Sequence, residues 1–202
     1  MQKIMFNEQY GLQQATFDGI KDMTRRVIPQ CILDAVPQYQ EEYYAGALEH
    51  IEIDQAILNM VGPEKMFQQY VYRVGEIVAI AQQYSQLVAN GHLVEDGSLS
   101  LMHSEGWGNK MYVKAELMQR HIKMTGIKVE GLAGISDEDC LKEGIQVLKG
   151  GFRNQDAYTF KGDKVWWKTP YLAYKELIDR LNKRGYFESN PMVYAYTYEL
   201  VD

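Results

Sequence analysis

The stretch Ile122-Lys-Met-Thr-Gly-Ile-Lys-Val129 decides the architecture. Ile122 and Met124 alternate with Lys123 and Thr125 at the two-residue period of a strand with one buried face. The phase then slips at Gly126, and beyond it Ile127 and Val129 carry the apolar face. A glycine at a one-residue slip is what a β-bulge requires, and a bulge bends a sheet, as at the corner of a small barrel. Working outward, Met111, Val113 and Ala115 repeat the strand period, and Ile77-Val-Ala-Ile-Ala81 is an apolar run short enough for a buried strand. Lys3-Ile-Met-Phe6 reads as a short strand. The closing segment from Met192 to Val201 alternates Tyr194, Tyr196, Tyr198 and Leu200 with Val193, Ala195, Thr197 and Glu199. This tyrosine ladder is expected to pack under the C-terminal helix. Tyr158-Thr-Phe160 and Val165-Trp-Trp167 flank Gly162-Asp163 as a hairpin.

Helices interrupt these strands irregularly. Asn7 is a cap for a helix ending near Gly19, Ser136 caps an acidic first turn, and Thr169-Pro170 opens a helix that stops at Lys183-Arg184-Gly185. Pro29 and Pro37 punctuate the entry to a further segment, where Ile53, Ile57, Met60 and Val61 share one helical face bounded by Gly62-Pro63. The pattern predicts an α+β fold with a small curved sheet or barrel, peripheral helices and a helical insertion at about 30–70; a doubly wound parallel sheet fits less well. One domain over 1–202 is expected, with long connections at about 83–110 and 150–168.

The 202 residues are 46% hydrophobic and 24% charged, which excludes a disordered, collagen-like or disulfide-scaffold chain. The net charge of −6 resides in residues 31–70, where Asp34, Glu41, Glu42, Glu49, Glu52, Asp54 and Glu64 face Lys65 alone. The remainder balances at 20 basic and 20 acidic residues, so a basic cleft is allowed there. No apolar run approaches the roughly 20 residues of a membrane helix, so no membrane partner is expected and the cytoplasm is the default compartment. Cys31 and Cys140 read as reduced thiols. His50, His92, His103 and His121 lack metal-ligand spacing, and no metal or cofactor is assigned. Phosphate-loop, nucleophile-elbow and Cys-x-x-Cys signatures are absent.

Chemistry concentrates in Lys21-x-x-Thr24-Arg25-Arg26, which places an amine, a hydroxyl and two guanidiniums within six residues. Positions three apart on a straight strand face opposite ways, so Lys21 and Thr24 converge only if the chain turns after Gly19. If they meet, a lysine whose pKa is lowered by burial and by the arginines can take the threonine proton, and the hydroxyl can attack a carbonyl. Asp22 beside Lys21 would oppose that lowering. The alternative is a solvated cationic face or an anion site. A second candidate surface lies at 150–168, where Phe152, Arg153, Tyr158, Phe160, Trp166 and Trp167 mix with lysines; nucleobases stack on such surfaces, although one tryptophan in the core and solvated charges would give the same pattern.

Gly19-Ile-Lys21-Asp-Met-Thr24-Arg-Arg26 resembles the G-x-K-x-x-T-x-R signature of the ASCH domain family. The Val74-Gly75-Glu76 strand entry, the Ile127 to Ile145 strand-plus-acidic-helix unit and the closing Asn190-Pro191 strand follow in the family's order. Asn109-Lys110-Met111-Tyr-Val-Lys114 and Ile135-Ser-Asp-Glu-Asp-Cys-Leu-Lys-Glu-Gly144 resemble the phage and prophage members. The resemblance implies a PUA-like β-barrel and two kinds of function, RNA binding or hydrolysis of the amide of N4-acetylcytidine. It implies Thr24 as nucleophile, Lys21 as its base and Glu143 as the carboxylate that orients the lysine or relays a proton to the leaving amine. Arg26 or backbone amides near the helix end would stabilise the oxyanion, and Arg25 and Arg26 would meet substrate or RNA. A third possibility is that the acidic insertion is a protein-contact or dimerisation element. Neither the oligomeric state nor the physiological substrate follows from the sequence.

Overall fold

Strand β4, His121–Gly131, breaks register with its neighbour between Met124 and Gly126, which places the bulge where the phase of the sequence slips. A side chain at Gly126 would begin 2.6 Å from the Thr197 hydroxyl, so the bulge needs the missing Cβ. The computed structural model describes residues 1–47, 50–62, 65, 67–91, 100–152, 155–161 and 163–202. Outside them lie His92, Arg153, the Phe152 side chain, Gly162, Pro63 and two of the insertion's acids, Glu49 and Glu64.

The other strands are β1 (Lys3–Ile4), β2 (Met23–Val27), β3 (Ile77–Ile80), β5 (Gln146–Phe152), β6 (Gln155–Thr159) and β7 (Met192–Leu200). Five of them form one mixed sheet in the order β1-β3-β4-β7-β2, with β1 and β3 parallel and the other pairs antiparallel. β5 and β6 form a separate two-stranded sheet. The fold is therefore α+β. Arg26 of β2 reaches toward the other end of the sheet, donating from Nη2 to the Met5 carbonyl just beyond β1 at 2.6 Å.

Residues paired across strands share a face. Tyr194, Tyr196 and Tyr198 lie opposite Val129, Ile127 and Met124 on one side and, for the first two, Arg26 and Thr24 on the other. This face meets Tyr72, whose ring is 5.4 Å from that of Tyr196, and Phe6, 5.8 Å from Tyr198. The Tyr198 hydroxyl pairs with Thr16 Oγ1 at 3.1 Å. Among the described residues the ladder's ring contacts outside itself are with Tyr72 and Phe6, where packing under the C-terminal helix was expected.

The helices are α1 (Leu12–Phe17), α2 (Gln30–Ala47), α3 (Ile53–Met60), α4 (Tyr84–Ala89), α5 (Asp137–Lys142) and α6 (Pro170–Leu181). The insertion forms α2 and α3, and α3 packs on α2 and β4. Pro29 lies before α2, its carbonyl accepting from Ile32 at 3.0 Å, but Pro37 sits inside the helix rather than at its entry. Pro37 is exposed, so water can serve the Leu33 carbonyl that loses its partner there. The predicted strand around Met111–Ala115 is instead two short 3-10 turns, Lys110–Tyr112 and Ala115–Leu117. The alternation there reflects Val113 and Ala115 packing near Tyr84 and Leu87 while Met111 and Tyr112 face water. The predicted 158–167 hairpin reduces to one antiparallel bridge, Tyr158 with Trp167, because β6 takes its ladder partner from β5.

Caps appear as the sequence predicts. Ser136 Oγ accepts from Asp139 N at 3.1 Å, and Thr169 Oγ1 from Leu172 N at 3.2 Å. Asn7 acts earlier than a cap: its Oδ1 accepts from Tyr10 N at 2.9 Å, one turn before α1 begins. Thr169→Ala is expected to cost about 1 kcal/mol, read as a lowered midpoint in urea denaturation with an unchanged slope.

Candidate functional site

Two helix ends build the site. Helix α1 closes with a Schellman motif: Gly19, at φ 69°, donates to Thr16 O at 3.1 Å and Ile20 to Ala15 O at 2.9 Å. This is the turn after Gly19 that convergence requires. The next residue, Lys21, then points inward and is 2% exposed, while Asp22 faces solvent. The Asp22 backbone is held on both sides, its N–H donating to Lys142 O at 3.0 Å and its carbonyl accepting from Tyr198 N at 2.9 Å.

Helix α5 ends the same way. Gly144 donates to Leu141 O at 2.9 Å and Ile145 to Cys140 O at 3.3 Å. Gly144 has φ 103°, a backbone conformation that favours glycine, while a Cβ there would meet Leu12 and Lys21 only at ordinary contact distance. Glu143 is the cap residue, 4% exposed. The two ends meet where Lys21 Nζ donates to Glu143 Oε2 at 2.5 Å, to the Glu143 carbonyl at 3.0 Å and to Met23 O at 2.6 Å. The carbonyl contact also sets the ammonium at the negative end of α5.

Arg25 completes the ion network. Its Nε donates to Glu130 Oε1 at 2.8 Å, Nη1 to Glu143 Oε1 at 3.1 Å and Nη2 to Asp139 Oδ2 at 3.0 Å, with the side chain 1% exposed. Burial pushes the Lys21 pKa down; Glu143 opposes this, Arg26 and Arg25 reinforce it, and the outcome lies below the ordinary 10.5. Asp22, expected to oppose the lowering, is exposed, and the carboxylate that opposes it foremost is Glu143. Burial would raise Asp139, but hydrogen bonds from Lys128 and Arg25 outweigh it and hold the acid below its ordinary 3.8. A carboxylate with a depressed folded pKa stabilises fully above the unfolded value and loses that contribution as pH falls through the folded one. Asp139→Asn should therefore lower stability at pH 6 and converge on wild type as pH falls through the depressed folded value, beneath the ordinary 3.8, measured by urea denaturation across that range.

Lys21, Thr24 and Glu143 line one cavity of about 570 Å³ between the end of β1, β2 and α6. Its ionic lining is Lys21, Arg25, Arg26 and Lys110 against Glu8 and Glu143, four cations to two anions. Lys21 and Arg25 are ion-paired with Glu143 and Lys110 with Glu8, so the excess of cations at this cavity rests on Arg26. The Phe6 ring lies under both Lys21 Nζ, at 5.7 Å, and the Arg26 guanidinium, at 5.8 Å. No family model, no curated protein and no solved structure matches the chain.

Arg26 joins the first three residues at the cavity, and its buried Nε has no hydrogen-bond partner among the described residues. Arg25 also borders it, but its nitrogens are turned to carboxylates. Trp166 and Trp167 are not brought to this cavity. Trp167 stacks on the buried Phe160 ring at 5.4 Å and 14°, and Trp166 is 37% exposed. The described aromatics of 150–168 thus divide, Phe160 buried in the core and Trp166 exposed.

Sequence reasoning missed Tyr174 of α6, which lines the cavity while 2% exposed. Burial, then the Glu143 charge, pushes its phenol well above the usual 10, so it stays a neutral donor. Its helical spacing reads as core packing, and only the polar tip hints at more. Among the described residues, no His, Cys, Asp and Glu side chains form a group able to hold a metal.

Proposed function

We propose that the chain is an ASCH-type protein whose cavity binds a nucleoside or RNA element and hydrolyses the amide of an acylated pyrimidine such as N4-acetylcytidine. The observation that carries this reading is the buried Lys21–Glu143 pair, 2.5 Å apart, in the same cavity as Thr24. The bulged five-stranded sheet, its ends approached by the Arg26–Met5 contact, supports a PUA-like barrel as the architecture. A volume of about 570 Å³ suits a nucleoside, since small-molecule pockets span roughly 300–1,000 Å³. A cytoplasmic setting, where RNA and free nucleosides are at hand, belongs to the same reading.

In the resting arrangement all three Lys21 N–H groups are engaged, so Nζ must first pass a proton to Glu143 Oε2. Thr24 Oγ1 then bonds to the acyl carbon while its proton moves to Lys21 Nζ, and Arg26 faces the developing oxyanion. Collapse breaks the bond from carbon to the exocyclic nitrogen, which takes the proton held by Glu143. Water cleaves the acyl-threonine ester, releasing the acid and restoring the hydroxyl. Incubation with N4-acetylcytidine should yield cytidine by mass spectrometry; an unchanged substrate at high enzyme concentration sinks the enzymatic reading.

The cationic lining favours a second reading, a non-catalytic RNA-binding module. It predicts salt-sensitive RNA binding without turnover, weakened by Arg26→Ala.

A further inference from the structure

We infer that Arg25 is a positioning residue of this site, holding Glu143 so that Oε2 stays against Lys21, and that it does not contact the ligand. The inference rests on the reading of Lys21 and Glu143 as the working pair. Its basis is the division of the Glu143 carboxylate: Oε1 accepts from Arg25 Nη1 at 3.1 Å and Oε2 from Lys21 Nζ at 2.5 Å. A carboxylate gripped at one oxygen presents the other in a fixed direction.

Arg25 is itself fixed. Glu130, on β4, takes Nε, and Asp139, in the first turn of α5, takes Nη2. Lys128 then joins Asp139 at 2.9 Å and Glu130 at 3.0 Å from the solvent side. The guanidinium therefore ties β2, β4 and α5 together and leaves no nitrogen without a carboxylate. A ligand-binding arginine would need a free edge. Arg26, the next residue, faces the other side of β2 and keeps an unpartnered Nε, which separates the roles of the two neighbours.

The guanidinium also sits close enough to Lys21 to disfavour its charged form. The other ionisable groups around the pair are Arg26 from β2, Asp139 and Cys140 from α5, Tyr174 from α6, Tyr198 from β7 and Glu130 from β4. Charge and geometry can be separated, because Arg25→Lys keeps the cation but cannot reach three carboxylates at once.

The experiment uses the full chain, with kcat and KM on N4-acetylcytidine and with Lys21 Nζ followed by NMR in protein carrying 15N-lysine, its signal assigned through Lys21→Arg. Arg25→Lys should lower kcat tenfold or more with KM within twofold. Arg25→Gln should move the Lys21 titration to lower pH, since a released Glu143 withdraws more support from the ammonium than the lost guanidinium withdraws opposition. A loss confined to KM, or an unchanged kcat in Arg25→Lys, overturns the inference. So does a Lys21 titration that stays put or rises in Arg25→Gln, which would mean that Glu143 keeps its place without Arg25. Should Arg25→Gln not fold, Arg25→Lys decides. If the wild type has no turnover, the proposed reaction falls by itself, and the Arg25 inference is decided by the Lys21 titration in Arg25→Gln together with the Glu143 carboxyl 13C signal in Arg25→Lys, which must shift when Oε1 loses its grip.

Discussion

Thr24→Ala is expected to reduce deacetylation of N4-acetylcytidine by at least about a thousandfold, the scale on which removing a nucleophile acts. Thr24 is 5% exposed on β2, and its backbone pairs with Tyr196 of β7, so a methyl in place of the side chain leaves the strand intact. Unfolding midpoints of variant and wild type should lie within about 1 kcal/mol of each other, as for small polar truncations. Lys21→Met, which keeps the stem and removes the amine, should lose about a hundredfold to ten-thousandfold. Activity persisting in Thr24→Ala while Lys21→Met is inactive would point to water, activated by the lysine, as the attacking group.

Glu143→Ala carries the largest cost in stability. It leaves Lys21 and Arg25 buried with their shared counter-charge gone, and breaking a buried pair from one side costs about 3–5 kcal/mol. Against a total of about 5–15 kcal/mol for a domain, that is a large share. Glu143→Gln keeps the shape and one acceptor for Lys21, so it should lie between alanine and wild type. The double variant Lys21→Met with Glu143→Ala should recover part of the loss, because the orphaned ammonium goes with the carboxylate. Urea denaturation of wild type, Lys21→Met, Glu143→Ala and the double variant closes the cycle, and a double variant less stable than Glu143→Ala would remove the buried pair as the cause.

The fold was most legible where one residue has one physical use. Gly126 at the phase slip, Ser136 and Thr169 before their helices, and Gly19 ahead of Lys21 each do what their backbone chemistry dictates. Legibility ended where partners are far apart in the chain. Nothing near Arg25 announces Glu130 or Asp139, more than a hundred residues away, so its ion network could not be read locally. The alternation at Met111–Ala115 misled for a related reason, since burial every second residue also arises in a loop pressed on a small apolar cluster. Trp166 and Trp167 are adjacent in sequence but differ in environment, as neighbours on an extended segment do.

The acidic arm is no detachable appendage. Its charges Asp34, Glu41, Glu42, Glu52 and Asp54 face water, yet its inner side sends Ile51, Ile57, Met60 and Val61 into the main core. At about 1.5–3 kcal/mol for each such side chain, those four are worth roughly what holds a whole domain together. Excising residues 40–62 to ask whether the arm recruits another macromolecule would therefore report collapse of the host and say nothing about recruitment. Reversing the charge of Glu41 and Glu42 on the outer face asks the same question and keeps the keystone in place.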